Sequence, residues 1–351
     1  MDPITQNPVL VDVFRGELVE SCHRGAIAIA DTQGRLVLAL GDVTRPIYPR
    51  SAVKAFQAIP LVESGAADAL GLNAEELAVA CASHSADRVH LDAVLSLLAK
   101  AGLHERSLAC GGHWPVSEAA TRELLRTGRR PRPIHNNCSG KHAGMLAAAA
   151  HLGFDPSGYE QPGHPLQIMI ARILSETCGV ALDPARMGND GCSLPTHPLP
   201  LGALAHGFAR LGTGAGLPPP RAAAAQRLMQ ACFAAPVLVA GEGRFDTIVL
   251  RGLSGVAFTK GGAEGVYCAA LPSLGLGLAL KIDDGAKRGA ELALSEVLAA
   301  LLPKAREVLR PQLEGVLHNW RGLLVGRMAG STELRHALSG LAAAAGNRAA
   351  G

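Results

Sequence analysis

Four short segments carry the residues whose types and spacing could do chemistry. In Arg50-Ser51-Ala52-Val53-Lys54 a serine stands three residues before a lysine, and on a helix that spacing puts both side chains on one face. A serine hydroxyl is a poor nucleophile until a base takes its proton. A lysine that is desolvated, or crowded by a second cation, has its pKa lowered enough to be that base. The plain alternative is a solvated helix face, which the apolar flanks disfavour. Seven of the 33 basic residues are lysines, at 54, 100, 141, 260, 281, 287 and 304, so each lysine placed beside a chemically able residue is informative.

The second segment, Cys81-Ala82-Ser83-His84-Ser85, follows a helical pattern and ends in a polar cluster. It reads either as a helix cap or as a second serine that complements the first pair. In Phe258-Thr259-Lys260-Gly261-Gly262 a lysine ends an apolar strand, followed by two glycines. They allow backbone or ligand to come close, although a strand lysine leaving for solvent would look the same. The fourth segment, His135-Asn136-Asn137-Cys138-Ser139-Gly140-Lys141-His142, opens a helix and matches in character Asn189-Asp190-Gly191-Cys192-Ser193. Thiolates are good zinc ligands, yet no close Cys-x-x-Cys spacing is present. Spacing leaves three readings open here: a metal site, a Cys138 nucleophile beside His142, and glycines and Asp190 that merely shape tight turns.

The elements that must position these residues follow from periodicity. Gly25 to Asp42 reads as a β-hairpin about a Thr-Gln-Gly turn, with Val9 to Val19 as an added strand. After Pro49 the stripe of Val53, Phe56, Ile59 and Val62 predicts a helix with Ser51 in its first turn, kinked or ended by Pro60. Helical periodicity recurs at 74–81, 87–102, 117–127, 141–152, 165–177, 200–211 and 221–233. Strand character returns at Asp246 to Leu250, Gly255 to Thr259, Gly265 to Leu271 and Leu274 to Ile282, before a helix from about Ala286 to Leu301.

That order predicts an α/β fold in which one antiparallel sheet is built from both chain ends (residues 1–55 and 240–320). A mainly helical region, 56–239, is inserted between its halves. Residues 321–351 form a C-terminal tail whose Ala/Gly-rich part, after about Ala329, is expected to be loose.

Composition excludes several functions. With 48% hydrophobic and 18% charged residues the chain can bury a large core. The formal charge of +3 is small and the basic residues are scattered, which argues against a nucleic-acid partner. Charges at Asp2, Asp12, Arg15, Glu17 and Glu20 interrupt any secretory core, and no apolar run approaches the eighteen or so residues of a membrane span. A cytoplasmic protein is the expectation, with its eight cysteines as free thiols or metal ligands rather than disulfides.

Taken together and in order, PRSAVKAFQ, ASHSADRVH, CGGHWP, HNNCSGKHAGML, DGCSLPTHPLPLGALA and KGGAEGVY, spread over about residues 49 to 267, resemble the rhizobial-type (class 3) L-asparaginases. The resemblance implies a fold like serine β-lactamases and glutaminases, a homodimer, and hydrolysis of L-asparagine to aspartate and ammonia. It implies two Ser-Lys pairs, Ser51 with Lys54 and Ser83 with Lys260, and a zinc ion on Cys138, Lys141 and Cys192. It also places Arg50, His142 and Asp190 along the substrate pocket. Two other activities compete. A β-lactamase would normally carry Ser-x-Asn and Lys-Thr-Gly where this chain has Ser83-His84-Ser85 and Lys260-Gly261-Gly262, and a glutaminase differs by one methylene of substrate. From another class, a zinc-stabilised binding protein would keep the cysteines and have no need of the Ser-Lys pairs.

Overall fold

The computed structural model describes residues 6–349, with side chains as far as Leu341. Its centre is an eight-stranded antiparallel sheet. The strands are β1 (Val9–Arg15), β2 (Leu18–Asp31), β3 (Leu36–Leu40), β4 (Phe258–Gly261), β5 (Val266–Leu271), β6 (Leu276–Ile282), β7 (Val316–His318) and β8 (Leu324–Gly330). Their order is β7-β8-β1-β2-β6-β5-β4, with β3 also paired to β2. The two chain ends meet along β2, whose Gly25–Asp31 pairs with Ile282–Leu276 of β6. The sheet drawn from both ends is therefore the architecture the sequence predicts.

Alternation along β2 explains the layers. Ala26, Ala28 and Ala30 face the helical region while Ile27 and Ile29 face the opposite core, as a period of two requires. The small face admits the Leu201–Thr213 helix so closely that a Cβ on Gly277 of β6 would lie 2.1 Å from the Ala205 carbonyl oxygen. The bulky face is covered by the helices Lys287–Leu301 and Phe245–Gly252 and by the buried Leu334, Leu338 and Leu341. Helices thus pack on both sides of the sheet. Among the described residues no helix is long and apolar enough to cross a membrane.

Four local expectations change. Val9 to Val19 is two strands, separated by a turn at Gly16, whose φ is +57°. Asp246 to Leu250 is not a strand but part of the helix Phe245–Gly252. Its β-branched residues mimic strand composition, while Phe245, Val249 and Leu253 recur at helical spacing and are buried in one core. The predicted loose tail is largely ordered: β8 pairs with β1 from Val11↔Gly330 to Arg15↔Gly326, and Thr332–Ala349 is a helix. Gly326 and Gly330 are close-approach positions, where a Cβ would meet the Phe14 carbonyl and the Glu296 side chain, and the final two residues lie outside the described ones. Finally, Arg50–Val53 is a 3₁₀ turn leading into a short α-helix, Lys54–Gln57. In such a turn residues i and i+3 eclipse, so Ser51 and Lys54 still share a side. The helix breaks at Ala58, just before Pro60 enters the next one, Ile59–Glu63.

Candidate active site

The Ser51 turn is held in an unusual backbone conformation. Arg50 has φ +53°, a left-handed geometry that costs energy for a residue with a side chain and that gathers at functional positions. It is secured by Asp190, whose Oδ1 accepts from Arg50 Nε at 2.9 Å and lies 2.8 Å from a terminal guanidinium nitrogen. Ser51 itself is half-buried. Lys260-Gly261-Gly262 leaves β4 directly against this turn: a Cβ on Gly262 would sit 2.6 Å from the Pro49 carbonyl oxygen and 3.3 Å from the Ala52 nitrogen. Close approach is thus the reason for glycine here.

Lys54 and Lys260 are both fully buried, which removes the solvated readings of each. They meet on one hydroxyl. Ser83 Oγ lies 3.0 Å from Lys54 Nζ and 2.9 Å from Lys260 Nζ. Lys54 also donates to the Ala82 carbonyl at 2.6 Å and the Asn137 carbonyl at 3.4 Å, and Lys260 to the Gly261 carbonyl at 2.9 Å. Among the described residues Ser51 is not a partner of Lys54. The expected pairs are therefore interleaved, with Ser83 as the shared member. Burial pulls the Lys54 pKa below the usual lysine range, Cys138 opposing it and Lys141 adding to it. Burial also brings Lys260 down to about 8, with Asp246 opposing and Lys54 reinforcing the shift. A hydroxyl can accept from one amine while donating to another. If one of the two is neutral, Ser83 is a proton bridge between them.

Ser83 lies beyond the helix Ala74–Ala80 rather than capping it. Its N–H donates to the Val239 carbonyl at 2.9 Å, and its own carbonyl accepts from Arg244 at 2.6 Å. His84 is fully buried and its pKa is pulled well down by burial and then by His90 and Lys54. Its Nδ1 accepts from the Ala86 N–H, so its Nε2–H donates to Ser139 Oγ at 2.9 Å, and Ser139 donates onward to the Ile134 carbonyl. The Asn136–Cys138 loop is in turn clamped by the CGGHWP segment. His113 Nε2 accepts from the Asn137 N–H at 2.9 Å, and Asn136 donates to the Cys110 carbonyl at 2.8 Å.

Cys138, Lys141 and Cys192, distant in sequence, are brought together and buried. Lys141 Nζ lies 3.2 Å from Cys192 Sγ. The neighbouring Cys192 thiol, with Lys54 and Lys141 favouring the thiolate, draws Cys138 well below the usual thiol range against burial. Among the described residues no three His, Cys, Asp or Glu side chains gather as a metal site. The cluster does supply two sulfurs and an amine, soft donors of the kind zinc accepts. His142 takes no part in it. Its Nδ1 accepts from Tyr159, and its buried Nε2 has no partner among the described residues. Cys138 Sγ lies 3.3 Å from Asn137 Oδ1 and, among the described residues, is not bonded to His142, which disfavours a Cys-His nucleophile.

Asp190 anchors the other side. Burial opposes its charge, yet Lys141 and Arg50 hold its carboxyl below the usual carboxylate range. Next to it opens a cleft of about 660 Å³, lined among others by Asn189, Asp190 and Ser193.

These segments fall within one family match: the model described as L-asparaginase II covers residues 11–329. The chain belongs to the L-asparaginase II family. As a member it is an amidohydrolase, and the resemblance carried by the six segments is met along nearly the whole chain. No curated protein matches it. Among solved structures, Mglu in its native form is 17% identical with a TM-score of 0.42, over 84% of this chain and 68% of that one. A simvastatin synthase (LovD) mutant from Aspergillus terreus is 12% identical with a TM-score of 0.38, over 82% and 92%. A β-lactamase from Mycobacterium bovis is 13% identical with a TM-score of 0.32, over 82% and 94%.

Sequence reasoning missed several residues that hold this cluster in place. Arg244, His113 and Asn137 act through backbone groups, which no residue-type pattern announces. Asp246, beneath Lys260, was hidden by the mistaken strand.

Proposed function

We propose that this amidohydrolase is an L-asparaginase that converts L-asparagine to L-aspartate and ammonia with Ser51 as nucleophile. The observation that carries the reading is the bridge Lys54–Ser83–Lys260, two buried amines on one hydroxyl beside the Ser51 turn. Two ammonium groups on one acceptor repel, and burial disfavours both charges, so a neutral amine is available as base. Ser51 Oγ attacks the side-chain carbonyl carbon. Its proton passes to Lys54, and Ser83 relays between Lys54 and Lys260. Contacts of this kind commonly tighten only when substrate is in place. Backbone N–H groups at the start of the Ser51 turn hold the oxyanion. Collapse of the tetrahedral adduct breaks the C–N bond, a lysine proton leaves with ammonia, and the Ser51 ester remains. Water, deprotonated by the same amines, hydrolyses that ester to aspartate and restores Ser51.

Arg50 and Asp190 present the two charges that an amino acid's carboxylate and ammonium require, and His142 offers a neutral imidazole to the same region. Cys138, Lys141 and Cys192 would hold zinc, which as a Lewis acid would fix the local loops and polarise groups brought against it. Metal binding would draw the Lys141 proton off, since a free lone pair is needed to coordinate. The resemblance further supports a homodimer.

Ammonia release from asparagine and from glutamine by purified protein tests the reading. Turnover of asparagine with a higher kcat/KM than glutamine is expected, and turnover of neither would overturn it. Protein purified without chelator should contain about one zinc per chain, and Cys138→Ala or Cys192→Ala should lose it while Ser51 still acylates. Metal-free protein with full activity would remove zinc from the account. Gly262→Ala should lower turnover roughly a hundredfold, the order expected when a catalytic group is displaced by about 1 Å, with unchanged far-UV circular dichroism. Turnover within a few-fold of the parent would mean the contact with the Ser51 turn is slack.

A further inference from the structure

Beneath Lys260 lies a buried carboxylate that neither the motifs nor the proposed chemistry uses. Asp246, on the helix Phe245–Gly252, is 4% exposed. Its Oδ1 accepts from Thr259 Oγ1 at 3.0 Å and its Oδ2 from the Gly261 N–H at 3.2 Å, so it grips β4 on both sides of Lys260. The same Oδ2 stands 3.9 Å from Lys260 Nζ. That distance is too long for a hydrogen bond and short enough for strong attraction where water is excluded. A carboxylate held by these two donors is fixed in place and still projects a field onto the ammonium.

We propose that Asp246 is the positioning residue of Lys260, aiming its amine at Ser83 through the flanking residues of β4 and setting how readily it gives up its proton. The proposal rests on Lys260 taking part in catalysis as described above. The other groups acting on this pair are accounted for. Lys54, across Ser83, and Arg244, ahead of the Asp246 helix, favour a neutral Lys260, while Cys138 acts in the opposite sense. Glu291, from the Lys287–Leu301 helix, is pushed up by burial first and then partly by Asp246. Burial raises the Tyr267 and Cys268 pKa values, the neighbouring Cys81 and then burial raise that of Cys232, and all three stay neutral near Lys260. Asp246 is thus the carboxylate that works against burial of the Lys260 charge. Without it the amine would give up its proton at lower pH, and a proton delivered by Ser83 would be held less firmly.

The test reads Lys260 directly. With seven lysines in the chain, protein labelled with carbon-13 at the lysine side chains gives few signals, and Lys260→Arg assigns the relevant one. Its midpoint is followed by NMR in the parent, Asp246→Asn and Thr259→Ala. Asp246→Asn should lower the midpoint by roughly one pH unit or more, the size expected from losing an opposite charge at this range, and the rising limb of kcat/KM should move with it. Thr259→Ala removes one hydrogen bond and no charge, so it should leave the midpoint in place and lower kcat alone. An unmoved midpoint in Asp246→Asn, or equal shifts in both variants, would overturn the proposal. If Asp246→Asn fails to fold, a parent midpoint below about 7 would show the carboxylate does not offset burial, and would overturn it too. A shifted midpoint with an unmoved activity limb would uphold Asp246 and instead remove Lys260 from the catalytic step.

Discussion

Incubation with a slow ester or amide analogue is expected to add the acyl mass to the peptide carrying Ser51, and Ser51→Ala is expected never to acquire it. Turnover in that variant should fall by on the order of 10⁴-fold or more, the loss that follows when a nucleophile acting in concert with its base is removed. The two serines differ in exposure and in engagement. Ser51 is half-buried in a 3₁₀ turn whose Arg50 is bound to Asp190, a residue that lines a cleft. Ser83 is 7% exposed, with its oxygen committed to two amines. An oxygen in that position moves protons well, but an acyl group built on it would have to push Lys54 and Lys260 apart. Ser83→Ala should therefore still acylate, slowed by about 10²–10⁴-fold as general acid-base relays are. An adduct on Ser83, or undiminished turnover in Ser51→Ala, would exchange the roles and make Lys260 the activating base.

What the sequence disclosed about this site divides along the range of the interactions. Ser51 and Lys54 are one turn apart, so spacing alone could pair them. The decisive contact of Lys260 with Ser83 spans 177 residues, and nothing in the local pattern of either segment announces it. The family resemblance supplied both lysines, yet it paired Ser51 with Lys54, whereas the folded chain gives Lys54 to Ser83. The cysteine cluster has the same character: Lys141 and Cys192 are 51 residues apart, joined by two tight turns whose residue types were legible but whose meeting was not. The helices of the inserted region were readable because each carries an apolar stripe. The Asp246 helix was not, because eight residues rich in β-branched side chains fit either period. The last helix was masked by composition, since an Ala/Gly-rich stretch suits a flexible tail and a helix equally well.

The same buried bridge sets the pH at which the enzyme works. Lys260 is held at about 8 by burial, against Asp246. Below that value Lys260 is protonated, and on the proposed mechanism the relay through Ser83 can no longer hand it the proton that Ser51 gives up. The sign is therefore fixed: kcat/KM should rise with pH, falling about tenfold for each unit below a midpoint near 8, and level off above it. Lys260→Arg offers a sharper reading. Guanidinium reaches the same hydroxyl but cannot be deprotonated in proteins, so it preserves the charge that Asp246 faces and removes the base. Turnover in Lys260→Arg should drop by about 10²–10⁴-fold and stay down at pH 10. Lys54→Arg should lose activity as well, because burial and Lys141 depress that amine and an arginine there would return a permanent cation to the bridge. A rate that is flat between pH 6 and 9 in the parent, or recovery of Lys260→Arg at high pH, would show that neither amine accepts the proton. The positive charge on Ser83 would then serve only to orient its hydroxyl, and the base for Ser51 would have to be sought among the groups around Cys138.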